Sequence, residues 1–84
     1  MAQNEDERVA ALARDILEYL RTHPRAVDTV EGITRWWLHM HARESVCREV
    51  ESALDSLIEQ GLVERIVKAD KQAIYRSAEK RDRQ

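Results

Sequence analysis

Apolar residues recur every three or four positions in the first part of the chain. The repeating positions are Val9, Leu12, Ala13, Ile16 and Leu20. This period predicts an amphipathic helix with one buried stripe. Asn4 is its predicted N-cap and Glu7 the capping partner three residues later. Pro24 ends the helix, because the residue before a proline avoids helical backbone angles. We expect residues 25–27 to run extended, with room for a short strand.

A second helix is predicted from Thr29 to about Leu38 or Met40. Asp28 and Glu31 have the spacing of a helix-capping pair. The predicted buried face of this helix is formed by Val30, Ile33 and Trp37. Gly32 lies inside the helix, where glycine costs roughly 1 kcal/mol relative to alanine, so we expect it to pack closely against another backbone.

A third helix and a β-hairpin follow an irregular stretch at residues 39–44. Ser45 is the predicted N-cap, and Gly61 is suited to ending the helix in the left-handed conformation. The predicted buried stripe is Val46, Val50, Ala53, Leu54, Leu57 and Ile58. Two β-rich runs, 62–67 and 73–77, then predict an antiparallel hairpin.

These elements predict an α+β fold that is mainly α, with three helices followed by a C-terminal hairpin. The length suits one domain, which we assign to residues 1–78. Residues 79–84 are charged and contain no apolar side chain, so we expect a flexible tail.

Residues 45–77 resemble the third helix and wing of bacterial winged-helix transcriptional repressors, such as those of the arsenical-resistance and multiple-antibiotic-resistance families. The pattern that carries the resemblance is Val50, Leu54, Leu57, Gly61, Leu62, Val63, Ile74, Tyr75 and Arg76. The resemblance implies a winged helix-turn-helix fold, in which helix 3 lies near the major groove of double-stranded DNA beside the hairpin wing. It also implies a role in transcription regulation.

The charge of the chain is nearly balanced, with 14 basic and 16 acidic residues. Its distribution is uneven, because residues 25–60 hold four bases against seven acids and residues 61–84 hold seven bases against four acids. The hairpin and tail are therefore the basic end of the chain. Helix 3 departs from a typical DNA reader, since its predicted exposed side carries the acids Glu44, Glu49, Glu51, Asp55 and Glu59.

Six residues are the predicted contacts to DNA. Three lie at the start and on the face of helix 3, and three lie on the hairpin: Arg43, Arg48, Ser52, Lys68, Lys71 and Arg76. Lysine and arginine on a wing bind phosphates or enter a minor groove, and Glu49 or Glu51 can accept a hydrogen bond from the amino group of cytosine. The alternative is a solvated surface of ion pairs, as the Glu44–Arg48 spacing suggests.

Two adjacent tryptophans lie about 100° apart around helix 2, so both cannot enter one narrow buried stripe. Trp37 shares a face with Ile33 and is the predicted core residue, whereas Trp36 is the predicted exposed one. An exposed tryptophan is a frequent anchor of protein interfaces. We therefore expect a homodimer that uses helix 1, the tail or Trp36. The other interpretation of Trp36 is that it packs on helix 1 or the hairpin. The alternative function is a protein-interaction adaptor that uses Trp36 or the acidic helix 3 without binding nucleic acid.

Metal, cofactor and catalytic chemistry find little support in the sequence. His39, His41 and Cys47 suggest zinc, but histidines two residues apart point to different sides of a helix. We expect no metal, no cofactor and no enzymatic activity, because the chain contains no phosphate-binding glycine loop and no nucleophile motif.

The expected location of the protein is the cytoplasm. A single cysteine suits this reducing compartment, and no apolar run is long enough to span a membrane.

Overall fold

A computed structural model describes residues 2–78 of the chain, and it begins with the long helix α1, Ala2–Thr22. The helix starts two residues before Asn4, so the prediction of Asn4 as N-cap was wrong. Its buried side chains follow the predicted stripe, with Ile16 fully buried and Leu20 nearly so. The predicted tail, residues 79–84, lies outside the described residues.

The predicted second helix consists of one short α-helical turn and a π-helical segment. The turn α2 spans Val30–Gly32, and its N-cap is Thr29, whose hydroxyl accepts a hydrogen bond from the amide of Gly32 at 3.1 Å. The π-helical segment spans Ile33–Trp37. In it the amide of Leu38 donates to the carbonyl of Ile33, five residues back, at 3.0 Å. The predicted second helix is therefore present, but it ends at Trp37, and most of it is π-helical.

Gly32 is buried, but its close neighbour is a side chain and not a second backbone as predicted. A Cβ atom at Gly32 would lie 1.8 Å from a carboxylate oxygen of Asp28. That same oxygen accepts a hydrogen bond from the Thr29 amide at 2.8 Å. Glycine is thus required where the Asp28 side chain folds over the start of α2.

Helix α3 spans Glu44–Glu59 and begins one residue earlier than its predicted capping residue, Ser45. Gly61 follows with φ of 79°, the left-handed conformation that glycine adopts at low cost. The amide of Leu62 donates to the carbonyl of Leu57 at 2.9 Å, which closes the end of the helix. The chain therefore turns directly from α3 into the sheet.

The sheet has three antiparallel strands: β1, Val27–Asp28; β2, Val63–Val67; and β3, Ala73–Ser77. Their order is β1-β3-β2, so β3 is central. Tyr75 lies opposite Arg65 on β2 and Asp28 on β1. The predicted hairpin and the mainly α, α+β class are confirmed. The predicted short first strand is also present, but at Val27–Asp28 instead of within residues 25–27.

One core joins the helices to the sheet. Side chains from α1, the π-helical segment and α3 meet Val63 and Tyr75, one from each hairpin strand. On α3 the fully buried residues are Val50, Ala53 and Leu54. The buried stripe of α3 is thus shared by α1 and by the hairpin, which holds the hairpin against the helices.

We expect Leu54→Ala to lower the free energy of unfolding by about 2–5 kcal/mol, because it leaves a cavity among fully buried neighbours. Leu62→Ala is the matched control, since Leu62 is 37% exposed, and its loss should stay below about 1 kcal/mol. Urea unfolding followed by circular dichroism measures both. Equal losses in the two variants would contradict the assigned core.

Candidate nucleic-acid interface

The solvent-facing side of α3, here called the α3 face, is opposite its buried stripe. Its exposed side chains are Glu44, Ser45, Arg48, Glu51, Ser52, Asp55 and Glu59. Four of these residues are acidic and one is basic. The α3 face therefore has a negative charge in its own right, as the sequence predicted, and Ser52 lies on it as predicted.

Ion pairs engage part of this charge. Arg48 contacts Glu44 with 3.3 Å between nitrogen and oxygen, and Asp55 contacts Arg65 of β2 at 3.6 Å. Within residues 2–78, Glu51 and Glu59 have no ion-pair partner. The two free carboxylates thus lie in the middle and at the end of α3.

Glu49 does not belong to the α3 face, which corrects its predicted exposure. Its carboxylate accepts a hydrogen bond from the guanidinium of Arg8 on α1 at 2.8 Å, and its side chain is 15% exposed. The ion pair joins α1 to α3 through two residues that are 41 positions apart in sequence. Glu49 therefore fixes α1 against α3 and is not available as a base-reading group.

The N-terminus of α3 combines an exposed cation with backbone amides that no side chain caps. Arg43 is the N-cap, with extended angles of φ −75° and ψ 155°, and it makes no side-chain capping bond. Its side chain is exposed and has no ion-pair partner in the described part of the chain. Free amides at a helix start and a nearby guanidinium both favour an anion such as a phosphate.

The tip of the hairpin is a tight turn that presents two lysines. The amide of Lys68 donates to the carbonyl of Gln72 at 2.9 Å, and the amide of Lys71 donates to the carbonyl of Lys68 at 2.8 Å. Asp70 accepts from the amide of Gln72, and Lys71 takes a φ of 71°. Lys68 and Lys71 are both exposed, and no acid of residues 2–78 pairs with either.

Arg76 lies in the middle of the sheet instead of at the hairpin tip. It is opposite Glu64 on β2, and its guanidinium forms an ion pair with the carboxylate of Glu64. Val27 of β1 is its partner on the other side. The pairing follows from strand register, which the sequence alone does not fix.

The six predicted contacts thus divide into two groups. Arg43, Lys68 and Lys71 are exposed cations without an acidic partner among the described residues, and Ser52 is exposed beside Glu51. Arg48 and Arg76 are each held by a glutamate. The first group is the part of the predicted site that is free to meet an anionic ligand.

The two tryptophans have the predicted environments. Trp37 is 7% exposed and stacks on Tyr19 of α1, with ring centroids 4.8 Å apart. Tyr19 in turn stacks on His23 at 4.1 Å. Trp36 is 66% exposed. The π-helical segment therefore places one indole in the core and presents its neighbour to solvent.

Other chemistry has no assembled site in the described residues. No three metal-binding side chains of His, Cys, Asp or Glu come together within residues 2–78. Cys47 is half-buried and forms no disulfide. None of the helices in this part of the chain is long and apolar enough to cross a membrane.

Comparisons of the chain with models of protein families, with curated proteins and with solved structures yielded no match.

We expect the two indoles to differ in fluorescence. The variant Trp37→Phe, which retains Trp36, should emit at longer wavelength and be strongly quenched by acrylamide. Trp36→Phe, which retains the buried and stacked Trp37, should emit at shorter wavelength and resist quenching. Circular dichroism of both variants controls for folding. Equal quenching in two folded variants would contradict the assigned positions.

Proposed function

We propose that this protein is a cytoplasmic winged-helix DNA-binding protein that regulates transcription. The element order α1-β1-α2-α3-β2-β3, with β3 between β1 and β2, supports a winged helix-turn-helix. In that architecture α3 is the recognition helix and the hairpin is the wing. The resemblance of residues 45–77 to bacterial repressors points the same way.

The observation that carries the proposal is the pair of free lysines at the tip of the hairpin. Lys68 and Lys71 lie in the turn after β2, a turn that begins nine residues beyond the end of α3, and both are exposed. Phosphate contacts supply the main affinity of many DNA-binding proteins and position them on the duplex. Arg43 and the uncapped amides at the start of α3 add a second phosphate contact.

The α3 face sets a limit on the strength of this binding. A carboxylate about 4 Å from a phosphate is repelled by roughly 1 kcal/mol even in water. The free acids Glu51 and Glu59 therefore oppose nonspecific attachment, while the cations at the helix start and hairpin tip favour it. We propose that phosphate anchoring holds the protein on DNA and that α3 makes few base contacts.

The proposed binding should weaken steeply with salt. We expect the logarithm of affinity for a random duplex, measured by fluorescence anisotropy, to fall linearly with the logarithm of salt concentration. Lys68→Ala, Lys71→Ala and Arg43→Ala should each reduce the slope by about 0.9. Arg14→Ala is the matched control, because it also removes one exposed cation. Arg14 is two residues from buried Leu12 and from buried Ile16, so it lies on the side of α1 that faces away from the core.

Flat titrations at low salt would refute DNA binding. An equal change of slope in Arg14→Ala and in the three site variants would contradict the location of the interface.

The exposed Trp36 favours a second candidate function, a protein-interaction adaptor. A solvent-facing indole provides a large rigid contact area, and tryptophan is enriched among residues that dominate binding energies. In this alternative Trp36, or the acidic α3 face, contacts a protein and no nucleic acid is bound. The same indole serves the proposed homodimer if the partner is a second copy.

We expect the chain to form a homodimer and Trp36→Ala to shift the equilibrium to monomer, because an exposed tryptophan is a frequent anchor of protein interfaces. Val67→Ala is the control, since Val67 is 62% exposed on the hairpin and should leave the dimer unchanged. Light scattering across a dilution series gives the mass of each variant. A parent chain that stays monomeric at every concentration would remove the dimer proposal, and equal dissociation in both variants would remove the role of Trp36.

A further inference from the structure

Glu51 is the one acid in the N-terminal half of α3 that remains free of an intramolecular partner within residues 2–78. Glu44 is held by Arg48, and Glu49 is held by Arg8. Glu51 is the eighth residue of the sixteen in α3, and it is exposed. The sequence analysis named Glu49 and Glu51 as possible acceptors for a base, and only Glu51 is exposed and unpaired among the described residues.

We propose that Glu51 reads a C·G base pair in the major groove by accepting a hydrogen bond from the amino group of cytosine. This inference rests on the proposed DNA-binding function. It specifies which base pair α3 prefers. It also gives the acidic α3 face a role in specificity instead of affinity.

The chemistry of a carboxylate explains the preference. An ionised carboxylate only accepts hydrogen bonds. In the major groove cytosine presents an amino donor, whereas guanine presents two acceptors and thymine presents an acceptor and a methyl group. A carboxylate is therefore repelled by guanine and thymine and attracted by cytosine. Adenine presents a donor beside an acceptor, which suits an amide better than a carboxylate.

The position of Glu51 fits this role. Glu51 is the eighth residue of α3 and lies on the solvent-facing side of the helix, and in a helix-turn-helix the recognition helix enters the major groove. Arg43 at the N-cap and the lysines of the hairpin tip supply phosphate contacts that offset the repulsion of one carboxylate.

Glu59 provides a matched control. It is also an exposed glutamate of α3 without an ion-pair partner among residues 2–78, but it is the last residue of the helix. Glu51→Gln and Glu59→Gln make the same change in charge and size. A general effect of charge should appear in both variants, whereas base reading should change only in Glu51→Gln.

The experiment selects duplexes from a pool with a randomised core, using the full chain and the two variants, and sequences the retained DNA. We expect the parent to enrich a C·G pair at one position by about fivefold or more. Glu51→Gln should move the enrichment at that position to A·T, because glutamine pairs with the N6 and N7 atoms of adenine. Glu59→Gln should bind more DNA while it keeps the parental preference.

Two other outcomes separate the failure of this inference from that of the proposed function. Retention of the pool in a salt-dependent manner, with a base preference that is absent or unchanged in Glu51→Gln, would overturn the role of Glu51 and leave DNA binding in place. No retention of the pool at low salt would overturn both, and it would leave protein docking as the use of the α3 face.

Discussion

The buried stripe of α3 is the constraint on which the rest of this structure depends. Val50, Ala53 and Leu54 are fully buried, and the same core includes Ile16 of α1 and Tyr75 of β3. Because one face of α3 is used for packing, the opposite face is fixed toward solvent with its acids. Gly61 then turns the chain so that β2 begins at Val63, and Val63 packs into the same core as the stripe. The position of the hairpin follows from these contacts.

Much of the fold could be predicted from the sequence because its signals are local. The spacing of leucines in α3, the glycine after it and the β-rich runs located the third helix and hairpin, and β3 has the predicted bounds. The second helix was predicted in place, but its π-helical hydrogen bonding was not. Its π-helical segment places Trp37 where it stacks on Tyr19 of α1, and a regular 3.6-residue period does not reveal such a change.

The candidate site was less predictable, because the side chains that can bind a ligand are those without an intramolecular ion-pair partner. The contact between Arg48 and Glu44 follows from helical spacing and was foreseen. The contacts of Glu49 with Arg8 and of Arg76 with Glu64 join residues far apart in sequence, and they require helix packing and strand register. Once the paired residues are set aside, Arg43, Lys68 and Lys71 remain as unpaired cations, and Glu51 remains as an unpaired carboxylate in the middle of α3. The proposed roles follow from this distinction between paired and unpaired charges: the unpaired cations bind phosphates, and the unpaired carboxylate reads a base.

The most direct test of the account is native-state hydrogen exchange at the amides of Leu54 and Leu62. The Leu62 amide binds the carbonyl of Leu57 and joins α3 to the hairpin, whereas Leu54 lies inside the helix. If the shared core holds helices and hairpin as one cooperative unit, both amides should exchange only with the free energy of global unfolding. Exchange of Leu62 at a much lower free energy than Leu54 would show that the junction between α3 and β2 opens independently of the helix, and it would contradict the claim that the buried stripe of α3 positions both.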